Sequence, residues 1–326
     1  MIPTGYGGND EYPTIRAIVV GAARQAASSG RARLTGGMTD APDPSPAPRV
    51  TTYENDGLTF DVRDEGPVDG EPVVLLHGFP DGPASWNQVV PLLTAAGKRV
   101  LVPAQRGYSP GARPPERSAY RLDTLAGDVL ALADAAGIDT FHAVGHDWGG
   151  GVAWQLGIAH GDRLRTLTVV STPHPRAMVA AMTHSTQALR SWYMALFQLP
   201  GLPEWTMGLR GGQMITRSLE RSGLPSTEAE AANDLMHEPG AATGALNWYR
   251  AIRPGELGAA AAVAVPTLYV WSTDDVALGR YAAEHTADWV SGPYRFEVLT
   301  GVSHWIPTVA ADRLAELILE QVASAA

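Results

Sequence analysis

The chain of 326 residues contains no cysteine. Disulfides, thiolate metal sites and a cysteine nucleophile are excluded, and the absence fits a reducing cytoplasm, the expected location. Basic residues are the next shortage: Lys+Arg total 24 against 34 Asp+Glu, Lys98 is the one lysine, and the formal charge is −10. A phosphate backbone needs a basic face, so nucleic acid is not expected as a partner. No apolar run approaches the ~18 residues that a membrane span requires, so no transmembrane segment is expected. Metal-ligand spacing is missing too. No His-Glu-x-x-His or comparable pair occurs among the 9 histidines, and neither a metal nor any other cofactor is expected.

What is present suits a soluble globular protein: 45% apolar and 18% charged residues can bury one large α/β domain with an insertion, or two domains. Residues 1–49 are the exception. Gly, Pro, Ser and Ala dominate there, and Ala41-Pro42-Asp43-Pro44-Ser45-Pro46-Ala47-Pro48 reads as an extended linker, so a poorly ordered N-terminal extension is expected. Ile18-Val19-Val20 is too short for the apolar region of a secretory signal, and Met38 offers an alternative start.

From Val50 the pattern becomes regular. Thr51–Glu54 and Leu58–Arg63 alternate around Asn55-Asp56-Gly57, a hairpin signal. Pro72–Leu76, Val100–Val102, Phe141–Val144, Leu164–Val170, Pro266–Trp271 and Tyr294–Leu299 are short apolar runs of the kind found in strands covered on both faces. Helical spacing marks Trp86–Ala96, Leu122–Ala136, Gly151–His160 and Ala311 to about Val322, and Tyr281–Val290 falls within the same alternating rhythm. An α/β class follows, with a mostly parallel central sheet flanked by helices. Residues 173–255 break the rhythm with many aromatics and methionines and no clear buried strand. They are expected to form a helical lid inserted between core segments 50–172 and 256–326, most of their apolar side chains simply packing.

Gly145-His146-Asp147-Trp148-Gly149-Gly150 stands between a buried strand and a helix. A Gly-X-nucleophile-X-Gly sequence there is the nucleophile elbow of the α/β-hydrolase fold, with Asp147 as the raised side chain. The competing explanation is a tight turn whose aspartate caps the helix. In that fold the partners follow as acid, then histidine, after late strands; Asp275, with neighbouring Asp274 as rival, and His304 stand at those places. His77-Gly78-Phe79-Pro80 follows another strand, and the Phe79 and Trp148 N–H groups would form the oxyanion hole. His77 and His146 are expected to shape turns, and the other histidines have no partners at ligand spacing.

A carboxylate nucleophile restricts the substrate. It is already charged near neutral pH, and attack on an ester would give only an anhydride. Attack on an electrophilic saturated carbon gives an alkyl ester, which water activated by His304 could hydrolyse. Epoxides and alkyl halides are the substrates left. Epoxide opening needs a proton donor for the alkoxide, and tyrosine suits that role.

On His77–Pro80, Gly145–Gly150, Ser191-Trp192-Tyr193-Met194-Ala195-Leu196-Phe197-Gln198 and Leu246-Asn247-Trp248-Tyr249-Arg250, the chain from about Val50 onward resembles the epoxide hydrolases of the α/β-hydrolase superfamily. The resemblance implies that Tyr193 and Tyr249 clamp the epoxide oxygen and that the product is a vicinal diol. Departures are Pro200-Gly201, displaced by one residue, Gln105 where relatives carry aspartate before Arg106-Gly107-Tyr108, and Ser272 where glycine is usual. Haloalkane dehalogenases look similar at the elbow but typically carry Asn at the place of Phe79 and lack the tyrosine pair. Fluoroacetate dehalogenases are disfavoured because they resemble His-Asp-Arg there. A non-catalytic ligand receptor on the same fold would need no complete triad. Trp192, Phe197, Trp248 and Trp305 are expected to line an apolar substrate pocket with Phe79 and Trp148. Oligomeric state is not legible, and a homodimer stays open.

Overall fold

The computed structural model describes residues 49–253 and 255–325. Except for Arg49, the expectation for residues 1–49 lies outside them, as does that for Met38. Among the described residues eight strands form one sheet in the order β1-β2-β4-β3-β5-β6-β7-β8. β1 (Thr52–Asn55) and β2 (Leu58–Glu65) are an antiparallel hairpin, joined where Asp56 and Gly57 both take positive φ (52° and 74°), the geometry a twisted two-residue turn requires. β2 runs antiparallel to β4 (Lys98–Pro103). The remaining pairings, through β3 (Glu71–Leu76), β5 (Phe141–His146), β6 (Leu164–Val170), β7 (Thr267–Asp274) and β8 (Tyr294–Ser303), are parallel.

The period-2 geometry of strands divides the core. Val73, Leu75, Val100 and Val144 face one side, packing with Trp86, Leu93, Leu314 and Ile318 from α1 (Val90–Ala95), its preceding turn and the closing helix described below. Val74, Leu76, Leu101 and Ala143 face the other, against α2 (Leu122–Ala135) and α3 (Trp148–Ala159) through Leu125, Val129, Val152 and Trp154. This is why the strands read as continuous apolar runs rather than alternating ones.

One helix is shorter than its sequence suggests. Trp86–Ala96 resolves into a 3₁₀ turn, Gly82–Trp86, and α1, which carries a proline in its first turn. A helix running through Pro91 would lose that residue's N–H and clash with the preceding turn, so it starts there instead.

Among the described residues seven α-helices lie between β6 and β7: α4 (Pro175–His184), α5 (Gln187–Arg190), α6 (Trp192–Phe197), α7 (Leu202–Gly208), α8 (Gln213–Arg221), α9 (Ser226–His237) and α10 (Ala241–Arg250). The chain then adds α11 (Arg280–Glu284) and a 3₁₀ turn, His285–Trp289, before β8, and closes with α12 (Ile306–Val309) and α13 (Ala311–Ala323). Among the described residues no helix is long and apolar enough to cross a membrane, and no cluster of three metal-ligating side chains is found.

Candidate active site

β5 is wholly buried and is followed by Asp147, whose φ of 49° and ψ of −120° are unusual for a residue with a side chain. Contacts hold it there. A Cβ on Gly145 would lie 2.1 Å from the Gly149 carbonyl oxygen, and one on Gly149 would lie 2.2 Å from that of Leu76. Only glycine allows strand, turn and helix to approach so closely. The Asp147 carbonyl accepts from Gly150 N–H at 2.9 Å and from the Thr172 hydroxyl. Its carboxylate makes no capping bond to α3, so the plain turn-and-cap explanation does not describe it.

The carboxylate instead meets two other loops. Oδ1 accepts from the Phe79 N–H at 2.9 Å, and His304 Nε2 lies 3.5 Å from Oδ2. Trp148 opens α3, and a first-turn N–H has no carbonyl within its own helix to bond. Of the two expected oxyanion-hole donors, the Phe79 N–H bonds the Asp147 carboxyl, and the Trp148 N–H lies at the free start of α3. His304, just beyond β8, approaches Asp275 Oδ2 through Nδ1 at 2.7 Å. Asp275 Oδ1 accepts the Ala277 and Leu278 N–H groups, each at 2.8 Å. The rival Asp274 is exposed and takes the Thr273 hydroxyl, so it is Asp275 that meets the histidine.

Electrostatics follow from this packing. Burial alone would raise the Asp147 pKa, but the hydrogen bond and charge of His304, with the Phe79 N–H, bring it below the ordinary carboxylate value. Burial opposes charge on His304, yet the carboxylates of Asp275 and Asp147 on either side push its pKa well above the usual imidazole value. Tyr193 and Tyr249 are raised, first by burial and further by the Asp147 charge, so both phenols keep their protons.

Tyr193 on α6 and Tyr249 on α10 line the same cavity as Asp147. Their helices are cross-linked: the Gln198 amide donates to Tyr249 O at 3.0 Å, and Arg250 donates to Phe197 O at 2.8 Å. The cavity has two arms that share Asp147, Tyr193 and Tyr249. One, of about 110 Å³, is bounded by Leu122, Gly151, Trp154 and Met178. The other, of about 480 Å³, is bounded by Trp192, Phe197 and Trp305. Trp192 sits at its rim, 65% exposed.

Trp248, expected in the pocket, is not among the residues lining either arm. It is buried with its indole N–H donating to Arg106 O at 2.8 Å and its ring against Tyr108 and Trp148. Successive residues on a helix point about 100° apart, so Tyr249 facing the cavity turns Trp248 toward the core.

Neighbours beyond the expected set also hold the site. His146 Nε2 and the Ser171 hydroxyl meet the His304 carbonyl at 3.0 and 3.2 Å. Asp81 and His146 are buried, with Asp81 Oδ2 4.0 Å from His146 Nδ1. Burial, then the Asp147 charge, pushes Asp81 up to about 7; burial, then the charge of His304, pulls His146 down to about 4. His77 is also pulled down to about 4 by burial. Its Nδ1 meets Gly78 O at 3.0 Å, and its Nε2 accepts the Gln105 N–H at 3.2 Å. The Gln105 side chain donates to His77 O at 2.7 Å, and the Ser272 hydroxyl donates to Ser303 O at 2.9 Å, so both departures are accommodated by hydrogen bonds.

The sequence profile of the α/β-hydrolase fold matches residues 71–310. The AB hydrolase superfamily protein YfhM of Bacillus subtilis is 35% identical over 271 residues, covering 81% of this chain and 94% of that protein. Epoxide hydrolase A of Mycobacterium tuberculosis is 32% identical over 317 residues, covering 84% of this chain and 97% of that protein. The crystal structure of Epoxide Hydrolase A from Mycobacterium thermoresistibile superposes with a TM-score of 0.70 at 25% identity, over 83% of this chain and 97% of that one. The chain belongs to the α/β-hydrolase family, and within it to the epoxide hydrolases.

The seat of Asp147 yields a direct test. A Cβ at Gly78 would lie 2.5 Å from Asp147 Cβ and 2.8 Å from Oδ1. Gly78→Ala should therefore displace the carboxylate and lower turnover by up to about 100-fold, as misplacement by an ångström does, with the circular dichroism spectrum retained. Wild-type turnover in that variant would show that the carboxylate's position does not matter.

Proposed function

We infer that the protein hydrolyses apolar epoxides to vicinal diols through a covalent ester on Asp147. The observation that carries this is the meeting of an ionised carboxylate and two protonated phenols across one apolar cavity. Asp147 Oδ attacks one ring carbon, the C–O bond on that carbon breaks, and the leaving oxygen takes a proton from Tyr193 or Tyr249. The phenols' high pKa is no obstacle, since the alkoxide they protonate is a stronger base.

Ester formation removes the charge of Asp147, one of the two carboxylates that keep His304 protonated. His304 then gives its proton to the phenolate that ring opening left, restoring the tyrosine, and becomes a base when one is needed. With Asp275 holding Nδ1, Nε2 takes a proton from water. That water attacks the ester carbonyl, whose developing oxyanion faces the Phe79 and Trp148 N–H groups. Collapse breaks the acyl C–O bond, and the departing oxygen takes the proton that the attacking water brought to the carboxyl group, so the carboxylate is restored and the diol is released. No step calls for a cofactor. The absence of cysteine supports a cytoplasmic setting.

The two arms favour epoxides with a substituent on each ring carbon, the smaller one directed toward Gly151. A Cβ there would meet only Leu122 Cδ2 at 3.8 Å and Trp148 Cε3 at 3.9 Å. Gly151→Leu should fill the small arm without strain in α3, suppressing turnover of 1,2-disubstituted epoxides while sparing terminal ones. Equal losses on both classes would remove the arm from substrate selection.

The overall reading is tested by assaying epoxides beside haloalkanes with the wild type and with Tyr193→Phe/Tyr249→Phe. Epoxide hydrolysis should fall by at least about 100-fold in the double variant, the scale of general acid catalysis. Undiminished epoxide opening, or a wild type active only on haloalkanes, would reject it.

A further inference from the structure

The loop Asp275–Gly279, which presents the acid, folds inward around Asp275 Oδ1, leaving backbone groups that need partners elsewhere. Side chains of one short lid helix meet them. Gln187 Nε2 donates to Ala277 O at 2.7 Å, and Gly279 N–H donates to Gln187 Oε1 at 2.8 Å. Arg190 donates to Asp275 O at 3.0 Å and to Val276 O at 3.2 Å. Gln187 is 1% exposed, and its amide also donates to the Ser191 hydroxyl at 3.0 Å. Ser191 immediately precedes α6, the helix of Tyr193, and its carbonyl accepts the Met194 N–H at 3.0 Å. One line of hydrogen bonds thus joins α6 to Gln187, Gln187 to the acid loop, and Asp275 to His304.

We propose that Gln187, assisted by Arg190, is a positioning residue that keeps the Asp275–His304 pair in register with Tyr193. The inference rests on the reaction proposed above, in which Tyr193 serves ring opening and His304 serves ester hydrolysis. A buried glutamine bonded at both ends to backbone fixes direction as well as distance, which a purely apolar contact between lid and loop would not. Removing its side chain leaves Ala277 O and Gly279 N–H without these partners, and the loop must shift to find others.

The groups facing His304 set how that shift would be read. Asp275 and Asp147 contact its ring, His146 lies 4.9 Å away between ring centroids, and Asp81 acts on it by charge. In the ester, Asp147 is neutral, so Asp275 is the contacting carboxylate left to hold the imidazolium. Loosening Asp275 lowers the His304 pKa toward its ordinary value and disorients Nε2.

The test uses the full chain as wild type, Gln187→Ala and Arg190→Ala, with styrene oxide in single-turnover runs across pH, and NMR titration of the His304 ring without substrate. The proposal predicts ester hydrolysis slowed by about 10- to 100-fold in Gln187→Ala, its acid limb moved to lower pH, and the His304 titration moved the same way. Arg190→Ala should show smaller changes of the same sign. A variant that loses only thermal stability, with acid limb and His304 titration both unmoved, would overturn the proposal. If Gln187→Ala does not fold, the exposed Arg190 decides by the same criteria. A wild type inert toward every epoxide would reject the proposed function, while the ring titration would still decide whether Gln187 and Arg190 position His304.

Discussion

The structure depends on a close approach of backbone segments around residue 147. Leu76 at the end of β3, Gly145 at the end of β5 and Gly149 at the start of α3 come so near that no Cβ fits on either glycine. That approach forces Asp147 into positive φ and holds its carboxylate away from the helix it precedes, against the Phe79 N–H. Strain of this kind persists only where the surroundings over-determine it. Here a doubly covered parallel sheet supplies the rigidity, and the loops at its carboxyl ends supply the chemistry.

The second constraint is electrostatic. His304 lies between two carboxylates in a buried setting, and its charge is one reason that Asp147 stays ionised despite burial. In the proposed reaction the same contact would make the histidine's basicity depend on whether Asp147 is free or esterified. A group that is quiet during the proposed ring opening and basic during the proposed hydrolysis would need no conformational change under this arrangement, because the reaction itself would change the neighbouring charge.

Much of this was legible in the residues. Asp147, Asp275 and His304 could be placed because strand ends are marked by apolar runs and the elbow by its glycines. Tyr193 and Tyr249 were not derivable from spacing; only the resemblance pointed to them, since neither lies near the elbow in sequence. The choice between Asp274 and Asp275 turns on an irregular register between β7 and β8 at Ser272/Asp274, which no single sequence encodes visibly. Trp248 misled because composition cannot say which of two adjacent aromatics on a helix faces inward. Gln187, 92 residues from its partner Gly279, belongs to a tertiary contact with no local signature.

The central claim is that Asp147 forms a bond to substrate carbon and that His304 is needed to break it. Intact-mass measurement of the His304→Gln variant after addition of styrene oxide tests this most directly. The account predicts a gain equal to the mass of one whole epoxide, located by peptide mapping on Asp147. An unmodified protein that continues to turn the epoxide over at the wild-type rate would contradict it.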